Sequence, residues 1–260
     1  MGGILDYGFE AFNEETDLRL AESALGSNLK LVEALVKADP GNTKLLLMAS
    51  QGYSAYALGF AEDDSVERAR VFYLRGREYG KQILSQHPAV KAALEGDAET
   101  FRQALQSLSK ADVPAVFWTA FAWGGYINIS RTDIEALGAL PKVNIMMEFV
   151  LQRDPSYYYG GAHLFLGSII ASTPPALGGK PEKAKEHFEQ ALALNGGRFL
   201  MTYVYYASTY AVQTQDQELF DSLLKKVEDA SVDLLPEARL PNVIAKRKAT
   251  LLHARVAELF

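Results

Sequence analysis

Apolar residues recur along this chain every three or four positions, the period of an α-helix, and Pro, Gly and Asp punctuate the pattern. The first amphipathic run carries Leu18, Ala21, Leu25, Leu29, Val32, Leu35 and Val36 on one face. Thr16 or Asp17 suits its start, and Asp39-Pro40-Gly41-Asn42 ends it after Ala38. A second helix, Lys44 to about Ala61, is apolar nearly all round, which marks burial. After the acidic turn Glu62-Asp63-Asp64, Ser65 caps a third helix to Ser85, and His87-Pro88 stops it. Residues 89–111 give one short turn and a helix beginning near Asp97. Residues 112–130 hold both tryptophans and the pair Gly124-Gly125. Glycine inside a helix costs about 1 kcal/mol against alanine, so that pair implies a packing or ligand reason. A helix over 133–152, interrupted near Pro141, follows. Further on, 198–214 reads as an aromatic-rich helix, 217–230 as an amphipathic one, and 236–259 as the last. Residues 1–14 read as loosely ordered. Period-two alternation bounded by hairpin turns is missing, so the fold class is all-α, built of stacked helical hairpins.

One hairpin stands out. Asp154-Pro155 leads into an apolar helix from about Tyr157 to Thr173, broken by Pro174-Pro175 and Gly178-Gly179. Pro181 fits the first turn of the returning helix, and Gly196-Gly197 fits its left-handed end. Ala184, Phe188 and Ala191 share one face, a small–large–small triplet like that of a tetratricopeptide (TPR) hairpin. A shift of 115 positions maps Asp154-Pro155 onto Asp39-Pro40 and Gly167 onto Gly52. The same shift maps Glu182-Lys183-Ala184 onto Glu67-Arg68-Ala69, Phe188 onto Tyr73 and Ala191 onto Gly76. A single TPR-like domain over 1–260, with a duplication of about 17–87 and 132–197, accounts for this. Two unrelated helical pairs sharing Ala and Leu are the alternative.

Composition narrows the function. The chain has 260 residues, 48% of them hydrophobic and 22% charged, as in an ordinary globule. A net charge of −6 without a basic stripe argues against a nucleic-acid partner. Lys246-Arg247-Lys248 reads as a solvated helix face. With no cysteine, disulfides, thiolate metal sites and cysteine nucleophiles are excluded. No apolar run approaches the roughly 20 residues of a membrane span. The N-terminus has neither a basic region nor an apolar core, and Asp6 stands where a myristoylation signal wants Ser or Thr. Cytosolic and processed-periplasmic origins both fit.

Catalytic chemistry is poorly represented. His87, His163, His187 and His253 lack metalloprotease spacing. The S-x-x-K matches at Ser27–Lys30 and Ser107–Lys110 lack companion motifs. An enzyme would have only His163 with nearby tyrosines or Ser168. No catalytic residue, metal ligand or cofactor is assigned. The aromatics say more: Trp118, Phe121, Trp123 and Tyr126 lie in one segment, Tyr157, Tyr158 and Tyr159 in a second, Phe199, Tyr203 and Tyr206 in a third. Most are expected in the core, but three adjacent tyrosines cannot all face inward on a helix, and some must line a cleft or an interface. Trp118, Trp123, Tyr157, Tyr158, Tyr159 and Tyr203, with Asn128, His163 and Arg198 as polar neighbours, are the expected ligand-binding residues.

The segments FWTAFAWGGYIN, DPSYYYGGAHLFLG, PPALGGKPEKAKEHFEQAL, LLLMASQGYSAYALGFAEDD and AKRKA resemble the T-component family of tripartite ATP-independent periplasmic (TRAP) transporters, from about Asp17 to Phe260. The resemblance implies a non-enzymatic periplasmic protein of degenerate TPR hairpins, lipid-anchored in its precursor through an N-terminal cysteine that this chain lacks. It implies a trimer with a pore or cleft in each protomer. The implied partner is a TRAP substrate-binding protein, and the implied ligand a small organic acid or a more apolar molecule. A general TPR adaptor gripping a peptide tail is the competing reading; such grooves usually present Lys, Arg and Asn instead of aromatics.

Overall fold

The computed structural model describes residues 2–173 and 179–260; the expected breaks at Pro174-Pro175 and Gly178 lie outside the described residues, as does Met1. All regular structure among the described residues is helical. In chain order the helices are α1 (Gly2–Asn13), α2 (Leu18–Ala38), α3 (Thr43–Tyr56), α4 (Val66–Leu84), α5 (Pro88–Ala93), α6 (Ala98–Leu105) and α7 (Val113–Asn128). There follow α8 (Ile134–Gly138), α9 (Leu140–Arg153), α10 (Tyr157–Ala171), α11 (Pro181–Asn195) and α12 (Met201–Tyr205). The last are α13 (Gln217–Asp229), α14 (Arg239–His253) and α15 (Val256–Leu259). None of the described helices is long and apolar enough to cross a membrane.

Local chemistry sets these boundaries. Asp17 Oδ1 accepts from the Arg19 and Leu20 amides, Asn42 from Leu45, Ser65 from Arg68, Asp97 from Thr100 and Asp216 from Leu219. Each bond satisfies an amide that the first helical turn leaves without a partner. Pro88, Pro141 and Pro181 stand in first turns, so the interruption near Pro141 is the start of α9. At the end of α11, Gly196 and Gly197 take φ of 61° and 69°, and the Gly197 amide donates to Leu192 O at 3.0 Å. The chain's first residues depart from expectation: they form α1, which packs on α14 and on the turn Pro236–Ala238.

The chain divides into two compact units. One is Glu22–Tyr157, where α4 packs against both α3 and α7. Small residues on α4 and α7 let those helices approach closely. A Cβ on Gly125 would fall within 2.8 Å of the Tyr73 ring, and one on Gly80 would stand 2.9 Å from Thr119 Cβ. The reason for the glycine at 125 is therefore packing. Tyr73 is buried, and its hydroxyl donates to Glu62 at 2.6 Å. Helix α3 widens into a π-helix at Ala57–Ala61, where the Glu62 amide reaches back five residues to Ala57 O.

The other unit joins Tyr158–Phe260 to the chain up to Ala21. Here α10 meets α11 at Gly167, whose absent side chain leaves room for Ala184 O and the Phe188 ring. Ala184, Phe188 and Ala191 are fully buried, as their spacing on one face implies. Phe188 stacks on Tyr206 at 4.6 Å and 9°. Gly52, which a 115-residue shift pairs with Gly167, faces Leu29 of α2 instead. Helix α12 also widens into a π-helix, Tyr206–Ala211, against which α13 packs. Lys246 does not lie on a solvated face: its ammonium donates to the carbonyls of Val227, Glu228 and Ala230, closing the C-terminus of α13.

Candidate functional site

The strongest local departure from sequence preference is at the start of α10. Tyr158, Tyr159 and Gly160 are left-handed, with φ of 47°, 60° and 79°, so the right-handed helix begins only after them. Gly160 suits this geometry, and a Cβ there would also stand 3.2 Å from the Ala191 Cα. For the two tyrosines the conformation costs about 1–2 kcal/mol each. Contacts of comparable size offset it. The Asn195 amide donates to Tyr159 O at 3.1 Å and to Thr202 Oγ1 at 3.2 Å. Tyr159 stacks on Phe199 at 4.9 Å, Tyr158 meets the same ring edge-on at 5.7 Å, and the two tyrosines lie 5.5 Å apart. One hydrogen bond at about 1 kcal/mol and three ring pairs at about 0.5–1.5 each match the strain. The product is a fixed, half-buried aromatic ledge. Burial, reinforced by the Glu237 charge, raises the Tyr159 pKa.

Phe199 belongs to a clamped turn between α11 and α12. Asn242 of α14, fully buried, accepts from the Leu200 amide at 2.9 Å and donates to Arg198 O at 3.0 Å. The Arg198 Nε donates to Asn195 O at 3.2 Å while the residue stays exposed. Tyr203 leaves this turn toward α13, and its hydroxyl lies where a side chain on Gly197 would be, 2.5 Å from a Cβ built there. A groove of about 680 Å³ opens beside it, bounded by Leu200, Tyr203, Lys225, Lys226, Asp229 and Leu234. The Lys226 ammonium lies 5.6 Å from the Tyr203 ring centre. Burial raises the Tyr203 hydroxyl's pKa, so it is a neutral donor at pH 7. Two ammonium groups, one phenol and an apolar rim fit a small anionic molecule with an apolar body.

The remaining expected residues separate. His163 on α10 faces His187 on α11, Nδ1 to Nδ1 at 3.0 Å. Burial lowers both pKa values, that of His187 to about 4, aided by His163 and the Lys183 charge. In the unit Glu22–Tyr157, the Trp118 Nε1–H donates to the Tyr157 hydroxyl at 3.2 Å, and Phe117 meets Tyr157 edge-on at 5.2 Å. Burial pushes the Tyr157 hydroxyl up to about 12, against the Trp118 hydrogen bond. Trp123 is not part of that group: it is buried beneath the cations of Arg77 and Lys81, 5.4 and 5.5 Å from its ring centre. Asn128 is exposed and bonds to Arg131.

Thus Tyr158 and Tyr159 converge on Phe199, and Trp118 meets Tyr157, while Trp123 and Asn128 serve local roles. Lys225, Lys226 and Asn242 escaped the sequence reading; the two lysines resemble any polar face of an amphipathic helix, and nothing local marks a clamping asparagine.

Comparison with known proteins points one way. The chain is 24% identical to an uncharacterized protein of Treponema pallidum (strain Nichols) over 265 residues, covering 96% of this chain and 82% of that one. The profile described as TRAP transporter T-component matches residues 14–260, nearly the whole chain and both compact units. Residues 14–260 contain the aromatic ledge, the clamped turn and the lysine groove, and the chain belongs to the TRAP transporter T-component family.

Proposed function

We propose that this TRAP-associated component works in the periplasm beside a TRAP substrate-binding protein and holds or passes a small organic acid. The groove at Tyr203 carries this reading. Lys225 and Lys226 form no ion pair among the described residues, so the site offers positive charge that the fold does not consume. An organic acid would set its carboxylate against the ammonium groups and its chain against Leu200, Leu234 and the Tyr203 ring. Asp229 on the rim gives such a groove polarity, disfavouring a second carboxylate at that end. In the same unit, the half-buried rings of Tyr158 and Tyr159 on Phe199 are further apolar surface for a ligand's body. Family membership supports the partner, since the matching profile describes one component of a TRAP transporter.

Sedimentation velocity of the protein mixed with its cognate TRAP substrate-binding protein tests the partnership. At micromolar concentrations a complex heavier than either protein is expected, strengthened by the organic acid that the binding protein carries. Two unchanged sedimentation boundaries across that range would reject it.

A further inference from the structure

We propose that His163 and His187 form a two-histidine clasp for a divalent transition-metal ion, taken up between their Nδ1 atoms. These rings come from the two arms of the α10–α11 hairpin, with centroids 5.1 Å apart and planes at 50°. Their spacing is fixed by the backbone: a Cβ on Gly167 would stand 3.2 Å from His187 Cβ, so the helices are already in closest contact at that level. Two ring nitrogens 3.0 Å apart cannot both present bare lone pairs. Something electrophilic must lie between them, either a proton on one Nδ1 or a metal ion. With metal–nitrogen bonds of about 2.0–2.1 Å, two adjacent ligands of a square or tetrahedral site stand about 2.9–3.4 Å apart. The observed separation falls in that interval, so a metal can replace the shared proton once both rings turn their Nδ1 lone pairs from each other toward it.

The chemistry of the rings agrees. Both are half-buried, and each presents Nδ1, a nitrogen that binds metals in the neutral imidazole, across the hairpin to the other. Neither Nε2 is bonded to a group among the described residues, which leaves it free to carry the ring's proton and release Nδ1 for coordination. No cluster of three or more His, Cys, Asp or Glu suited to a metal occurs among the described residues, so the other coordination positions belong to water or to an added ligand. Imidazole nitrogens favour Cu(II) most strongly among the common divalent ions. The nearby Lys183 charge opposes a cation, which limits the affinity to that of an exchangeable site.

The test is calorimetric titration of chelator-stripped protein with CuCl2, paired with electron paramagnetic resonance. Wild type is expected to take up one equivalent whose spectrum shows two equatorial nitrogens. His163→Gln/His187→Gln should lose that equivalent, and each single variant should weaken it by about tenfold or more. His253, which faces Glu228 and Asp221, and His87, beside Asp112, are the competing weak sites, so His87→Gln/His253→Gln should keep the equivalent. Should the double variant misfold by circular dichroism, histidine NMR of the wild type with ZnCl2 decides: shifts at His163 and His187 support the clasp. The same copper stoichiometry in the folded double variant, or zinc shifts confined to His87 and His253, would overturn it.

Discussion

Asn242→Ala is expected to lower stability by about 2–4 kcal/mol, read as a fall in the urea midpoint of unfolding. The size follows from what the amide serves. Its Oδ1 is the acceptor for the Leu200 amide in a fully buried position, and its Nδ2 is the donor to Arg198 O. Alanine leaves both backbone groups without partners, and an orphaned buried polar group costs about 1–3 kcal/mol. The substitution also frees the turn that aims Phe199 at the tyrosine ledge and Tyr203 at the groove, so ligand binding should weaken along with stability. Asn128→Ala is the control. That side chain is exposed and, among the described residues, bonds to Arg131 at the surface, so its loss should shift stability by less than about 0.5 kcal/mol. Equal midpoints for Asn242→Ala and wild type would show that the clamp contributes nothing.

Gly125→Ala is expected to destabilise the α4–α7 contact by about 2–3 kcal/mol, although alanine is the better helix former. Helix propensity alone would gain about 1 kcal/mol. Against it stands overpacking: the new methyl would fall within 2.8 Å of three Tyr73 ring atoms, and that ring is both buried and tethered to Glu62. Neither the ring nor the helices can give way without opening the core, and such insertions cost about 1–3 kcal/mol or more. Gly138, with nothing within 4 Å of its built Cβ, isolates the propensity effect. Gly138→Ala should be neutral or stabilising by up to about 1 kcal/mol. Thermal unfolding of the two variants side by side should therefore show a clear fall in midpoint for Gly125→Ala and none for Gly138→Ala, and no fall for Gly125→Ala would contradict the packing argument.

Punctuation and periodicity made most of the fold legible. Asp17, Ser65, Pro181 and Gly196-Gly197 act where they stand in the sequence, because caps and left-handed ends depend on the nearest few residues. The apolar face of α2 was equally plain, with Ala21, Leu25, Leu29, Val32 and Val36 all buried. What stayed hidden depends on distant partners. A left-handed Tyr158-Tyr159 opposes local preference and exists because Asn195 and Phe199 hold it. The π-helical ends of α3 and α12 have no local marker. The short α1, expected to be loose, gains its order from α14. For the site, aromatic clustering singled out Tyr158 and Tyr159, but their meeting with Phe199 is made by the fold and not by nearness along a helix. It did not find the groove, whose lysines come from α13 and matter only because Tyr203 crosses to meet them.

Calorimetric titration with a graded series of monocarboxylic acids, run on wild type and on Lys225→Ala/Lys226→Ala, tests the ligand site most directly. Both lysines are exposed on a helix, so alanine there preserves the fold. The expected result is saturable binding by wild type that weakens with added salt and falls by about tenfold or more in the double variant. Absence of binding across the whole series, or equal affinity in the double variant, would contradict the assignment of this groove.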